Sequence, residues 1–154
     1  MKALKGLSLV LKNLNNEIAK VRLHTKEGLT EAALVVKADS VRETPVDLAN
    51  LRGSAFIMVT GKNTDNKSPS FKGKGASKLG SGHSRSLVAA RQLVGSDNKR
   101  LKALIGYSAN YALWVHEMPS SYNFNQGANK FLLKSLLKNK ERVNKIIRKW
   151  ARVR

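Results

Sequence analysis

The residues of this 154-residue chain best suited to proton transfer or metal ligation are His24, His83 and His116. None has the company that such chemistry needs. A structural or catalytic zinc site requires further His or Cys at short, regular spacing, and the chain has no cysteine. That absence also excludes disulfides, iron–sulfur clusters and thiol catalysis. His116 and Glu117 are adjacent, and neighbours on a helix point in different directions, so they do not read as an acid–base pair. His83 has Ser81 and Ser84 nearby, but no nucleophile-elbow pattern surrounds it. Gly73-Lys74-Gly75-Ala76-Ser77-Lys78 has the composition of a phosphate-binding loop without Walker spacing, and no apolar strand precedes it. The 10 acidic residues are dispersed, which argues against a two-carboxylate hydrolase or a two-metal nuclease. The expectation is a non-enzymatic protein with no cofactor and no metal.

The charge says more. Lysine and arginine number 29, against 10 acidic residues, for a net charge of +19. Such a surface attracts nucleic acid, anionic lipid or an acidic protein. Lys62, Lys67, Lys72, Lys74 and Lys78 lie in a Gly- and Ser-rich stretch, and Arg148, Lys149 and Arg152 lie near the C-terminus. These are the candidate partner contacts. Interleaved aromatics are few (Phe71, Tyr122 and Phe124), and no zinc finger, RNA-recognition motif or helix-turn-helix is visible. An acidic protein surface is therefore at least as good a partner for these cations as DNA. No apolar run approaches the roughly 18–20 residues of a membrane span. The start resembles a signal peptide only faintly, because Lys12 interrupts a short apolar stretch. A soluble, unprocessed protein with no membrane partner is expected.

The elements that position these residues follow from periodicity. Leu4, Leu7, Leu11, Leu14, Ile18, Val21, Leu29, Ala32 and Val36 form one helical stripe. The helix runs to about Arg42, with a kink or break credible at Gly28. Uninterrupted, it would reach roughly 60 Å. Such a helix overhangs a domain of this size, so the stripe packs either on its own core or on a neighbouring subunit. Thr44, Pro45 and Asp47 suit the start of a short helical turn, with Leu48 and Leu51 inward and Gly53 at its end. Ser54 to Thr60 reads as a buried strand. Residues 61–84 form a basic inserted loop that cannot order itself alone, so a partner is expected to hold it, and its deletion should leave the subunit folded. Residues 87–94 fit both helical and strand spacing; with the turn chemistry of Gly95 to Asn98 and the alternation of Leu101, Ala103, Ile105 and Tyr107, they read as a hairpin. A short helix over Tyr111 to Met118 ends at Pro119. A last helix spans about 128–153, with Phe131, Leu132, Leu136, Val143, Ile147 and Trp150 on one side and cations on the other. The fold class is α+β: a long N-terminal helix, an antiparallel sheet of about three strands, a short helix and a C-terminal helix.

Three segments, Glu43-Thr44-Pro45-Val46-Asp47-Leu48-Ala49-Asn50-Leu51-Arg52-Gly53-Ser54, Gly106-Tyr107-Ser108-Ala109-Asn110-Tyr111-Ala112-Leu113-Trp114-Val115-His116-Glu117 and Gly127-Ala128-Asn129-Lys130-Phe131-Leu132, together resemble one family. It is the head–tail joining, or tail-completion, minor structural proteins of long-tailed phages. The first segment resembles that family's Pro-x-Asp-Thr-Gly-x-Leu-Arg-x-Ser signature, with Leu48-Ala49 in place of Thr-Gly. The second resembles Gly-x-x-x-x-Tyr-Ala-x-x-Val-His-Glu, and the third the Lys-Phe-Leu opening of the last helix. Order and spacing agree over roughly residues 1–150, and the basic stretch looks like an insertion in a single head–tail joining domain. The resemblance implies a virion protein, made in the host cytoplasm, with scaffold and interface roles for Pro45, Asp47, Leu51, Arg52, Gly106, Tyr107, Tyr111, Ala112, His116, Glu117 and Phe131. It implies a ring of six or twelve copies between portal and tail tube. The ring would contact connector, tail-terminator or tail-tube proteins, with genomic DNA passing through. Within this frame Tyr111 is expected to carry its hydroxyl to a buried acceptor, Asp47 to cap backbone amides, and Arg52 to pair with Asp47 or Glu117. The competing reading is a free basic nucleic-acid-binding protein.

Overall fold

The computed structural model describes residues 2–46, 49–62, 69–95 and 100–152, with side chains from Gly6 onward. Asp47, Leu48 and Lys67 lie outside the described residues. The chain is α+β. Helix α1 spans Lys2–Glu43, α2 Asn50–Gly53, strand β1 Ala55–Val59, helix α3 Ala76–Val94, strand β2 Ala103–Tyr107, helix α4 Ala112–His116 and helix α5 Phe131–Ala151. The strands pair antiparallel, with Phe56 opposite Gly106 and Ile57 opposite Ile105.

Every residue of β1 is buried, as its unbroken apolar run requires. Helices cover both faces: α1 and α3 each pack against this strand. Phe56 and Met58 alternate onto one face and meet Ala90 and Val94, with Leu87 and Leu104 at the edge. This explains the first departure from expectation. Residues 87–94 are the end of α3, so the expected hairpin does not form and the described residues hold two strands rather than about three. The basic segment is likewise helical from Ala76 onward. Gly80, Gly82 and four serines give this stretch poor intrinsic helix propensity. Yet Leu79, His83, Leu87, Ala90 and Val94 recur at steps of four and three, and burial of that face overrides the propensity. A deletion of residues 61–84 would therefore remove half of a core helix. The segment is also held by its own chain: the side-chain amide of Asn50 donates to the carbonyl of Lys72 and accepts from its N–H, both at 2.8 Å.

Helix α1 is continuous through Gly28, so the helix does not break there. The glycine serves close approach instead, because a Cβ there would lie 2.7 Å from Cβ of Trp150. Helix α5 runs antiparallel along the C-terminal half of α1. Asn139 donates to Asp39 at 2.6 Å, and the Trp150 indole N–H donates to Glu31 at 2.6 Å. The residues of α5 that face inward are Phe131, Ser135 and Asn139, whereas Leu136, expected inside, is about half exposed together with Leu133 and Leu137. The helical turn expected from Thr44 begins later, at Asn50. Thr44 instead closes α1, its hydroxyl donating to the carbonyl of Ser40 at 2.7 Å.

Candidate interaction surfaces

Three distant stretches of sequence meet around one ring. Phe131 is 1% exposed and packs with Leu51, Ala109 and Ala112, flanked by Tyr107, Val115 and Leu132. The rings of Tyr107 and His116 stand edge-on to it, with centroids 5.0 and 4.9 Å away. Backbone bonds lock the same junction: Ala128 N–H donates to Glu43 at 2.8 Å and Lys130 N–H to His116 at 2.8 Å. Gly127 has φ +86, and a Cβ on it would fall 2.5 Å from the backbone nitrogen of Pro45. Only glycine satisfies both the left-handed backbone and that contact.

Individual roles differ in part from those expected. Tyr107 carries its hydroxyl inward, to the hydroxyls of Ser40 at 2.7 Å and Thr44 at 2.9 Å. Burial pushes the Tyr107 phenol above its ordinary range. Tyr111 is 37% exposed and lines two surface depressions. Arg52 donates to the carbonyls of Thr44 at 3.0 Å and Arg42 at 3.2 Å, so it caps the negative end of α1. Glu117 bonds His116 Nδ1 at 2.7 Å rather than Arg52, so these neighbours do pair, because Glu117 lies just past the last residue of α4 and helical spacing does not separate them. Gly106 lies within β2, where a Cβ would meet Cζ of Phe56 at 2.8 Å, so the Phe56 ring demands the glycine.

The arrangement nearest to catalytic chemistry is His83, whose Nδ1 lies 2.6 Å from Oγ of Ser108. Sequence separation hid this pair. It lacks the third member of a relay: Nε2 has no protein hydrogen-bond partner, where an orienting carboxylate would sit. Both residues are buried, His83 between the edges of Phe56 and Phe71. Ser108 also donates to the carbonyl of Ser54 at 3.3 Å. His83 is the titratable member of this pair. Burial, and secondarily the charge of Lys37, hold its pKa below the ordinary histidine value. The pair reads as a packed polar contact joining α3 to the end of β2. No cluster of three metal-ligating side chains occurs among the described residues.

Two depressions flank Tyr111. One, of about 330 Å³, is lined by Pro45, Leu51, Trp114, Val115, Met118, Tyr122 and Phe124. Beside it Trp114 is 69% exposed and Leu113 is 74%. The other, of about 810 Å³, is lined by Lys74, Lys78, Arg85, Ser108 and Asn110. Comparison with family models, curated proteins and solved structures gives no significant match. The two surfaces therefore have to be read from their own chemistry. Exposed Trp and Tyr around an apolar depression have the composition of an interface anchor, and three cations without a carboxylate suit an anionic partner. Composition singles out Lys74 and Lys78 but not Arg85, which α3 brings beside them. Lys72 is exposed nearby. Lys62 is engaged internally, 2.6 Å from Glu27. Arg148, Lys149 and Arg152 are exposed at the far end of α5, so the basic candidates do not form one patch. Among the described residues, no helix is long and apolar enough to cross a membrane.

Proposed function

We propose that this chain is a structural subunit of a tailed-phage head–tail junction, a ring component that joins or completes head and tail by protein–protein contacts. The observation that carries the reading is the convergence of the three motif segments on Phe131. In sequence these segments resemble the neck family, and in space they build one rigid frame that holds Trp114 and Leu113 outward. Burying two large apolar side chains of this kind against a neighbour provides the affinity of a typical hot spot. The partners in this reading are further copies of the chain, in a ring of six or twelve, and the adjoining connector, terminator or tube proteins. Its place is the virion, and its role needs no catalysis. Mass spectrometry of purified particles tests it directly: the chain should be present, and its absence would sink the reading. Trp114→Ala should leave the isolated subunit folded and reduce its incorporation into particles.

The cationic cleft favours a second reading, a free nucleic-acid-binding protein. Steeply salt-dependent DNA binding by the isolated chain, lost on Lys78→Glu with Arg85→Glu, would favour it.

A further inference from the structure

The N-terminal part of α1 carries a pattern that its own chain leaves uncovered. Leu7, Leu11, Leu14, Ile18 and Val21 recur at alternating steps of four and three, and the line continues through Thr25 to Gly28 and Ala32. Gly28 and Ala32 are buried, the former beneath Trp150. Leu7, Leu11 and Leu14 are 54%, 50% and 54% exposed, and Ile18 is 39% exposed. A seam that is a helix–helix interface at one end is open at the other, because α5 ends at Ala151, with Trp150 stacked on His24.

Alternating steps of three and four are the spacing of a left-handed coiled coil, in which Leu11 and Ile18 take position a and Leu7, Leu14 and Val21 position d. Position e is then Ser8, Asn15 and Arg22, and position g is Val10, Glu17 and His24. In a parallel pair each g residue faces the e residue five further along the partner, so Glu17, which also holds Lys20 of its own helix at 2.7 Å, meets the second copy's Arg22, twice per dimer. In an antiparallel pair e faces e and g faces g, and no opposite charges meet. Lys12 and Lys20 fall at b and c, outside the seam, while Leu9 and Leu23 at f take no part. Leucine at d, with isoleucine at one a position, fits two strands.

We infer that two copies of this chain join through a parallel, in-register coiled coil of their α1 overhangs, centred on Leu11 to Ile18. The inference does not depend on the neck reading, since it concerns the purified chain alone.

Sedimentation equilibrium of the full chain should show a reversible dimer. Leu14→Glu should weaken it by roughly tenfold or more, because it places a charge in the seam, while far-ultraviolet circular dichroism and thermal unfolding of the monomer stay unchanged. Orientation is read from Leu7→Cys, clean in a chain without cysteine. Parallel strands bring the two sulfurs together and give a disulfide-linked dimer on oxidation, whereas antiparallel strands keep them apart. A chain that stays monomeric at every concentration overturns the inference. So does a dimer indifferent to Leu14→Glu, which would place the contact elsewhere, as on Leu136 and Leu137. A dimer that Leu14→Glu dissociates, but that the Leu7→Cys variant fails to cross-link on oxidation, overturns the parallel register. Absence of the chain from virions would remove the neck reading and leave this result standing.

Discussion

From Gly28 to Glu43, α1 is a core element, clamped by α5 on one side and by β1 on another. From Gly6 to Lys20 the same helix has every residue exposed. Residue types do not explain the difference, for the exposed part is richer in large apolar side chains than the buried one. The buried part relies on Gly28, Ala32, Ala33, Val36 and Ser40, small enough for neighbouring elements to come close. The exposed part offers Leu7, Leu11, Leu14 and Ile18, bulky enough to interlock with another helix. Small residues mark the contact the chain makes with itself, and large ones the face it leaves open.

Substitutions that pit the two parts against each other can break this contrast. The largest effect is expected at the junction that fixes the covered end. Phe131→Ala should cost about 3–5 kcal/mol in urea unfolding, since it empties the centre where the three motif segments meet. A loss below about 1 kcal/mol would mean that this junction does not hold the fold together. Val36→Ala should cost about 2 kcal/mol, whereas Leu14→Ala, which removes a larger group, should stay within roughly 0.5 kcal/mol in the dilute chain. Equal effects would erase the distinction. Gly28→Ala tests the boundary. Helix propensity favours alanine by about 1 kcal/mol, but the new methyl would meet Trp150 Cβ at 2.7 Å. A net loss of about 1 kcal/mol is expected, within the usual range for overpacking, and a gain in melting temperature would show that α5 can retreat freely.

The smallest effect is a pH dependence confined to the body of the protein. Folding lowers the His83 pKa, so the unfolded chain binds more protons at mildly acidic pH and stability must rise with pH there. The contribution is complete above the ordinary histidine value and is lost as pH falls toward the folded one. Denaturation profiles from neutral pH downward should therefore lose part of their acid slope in His83→Gln; Leu14→Ala should keep the wild-type slope.

Much of this was legible in the residues alone. The stripe of α1, the apolar run of β1, the alternation in β2 and the amphipathic α5 each carry a periodicity that local geometry converts directly into an element. The segment 76–94 was not legible, because glycine and serine suppress its helical signal and only contact with Phe56 and Met58 restores it. The partners of Tyr107, His83 and Arg52 were equally hidden, since each bond joins residues brought together by the fold. The sequence by itself determined the charge, the lack of thiol chemistry and the heptad spacing of α1. Tertiary structure alone decided where that heptad is covered, because α5 runs out at Ala151 and the apolar line does not.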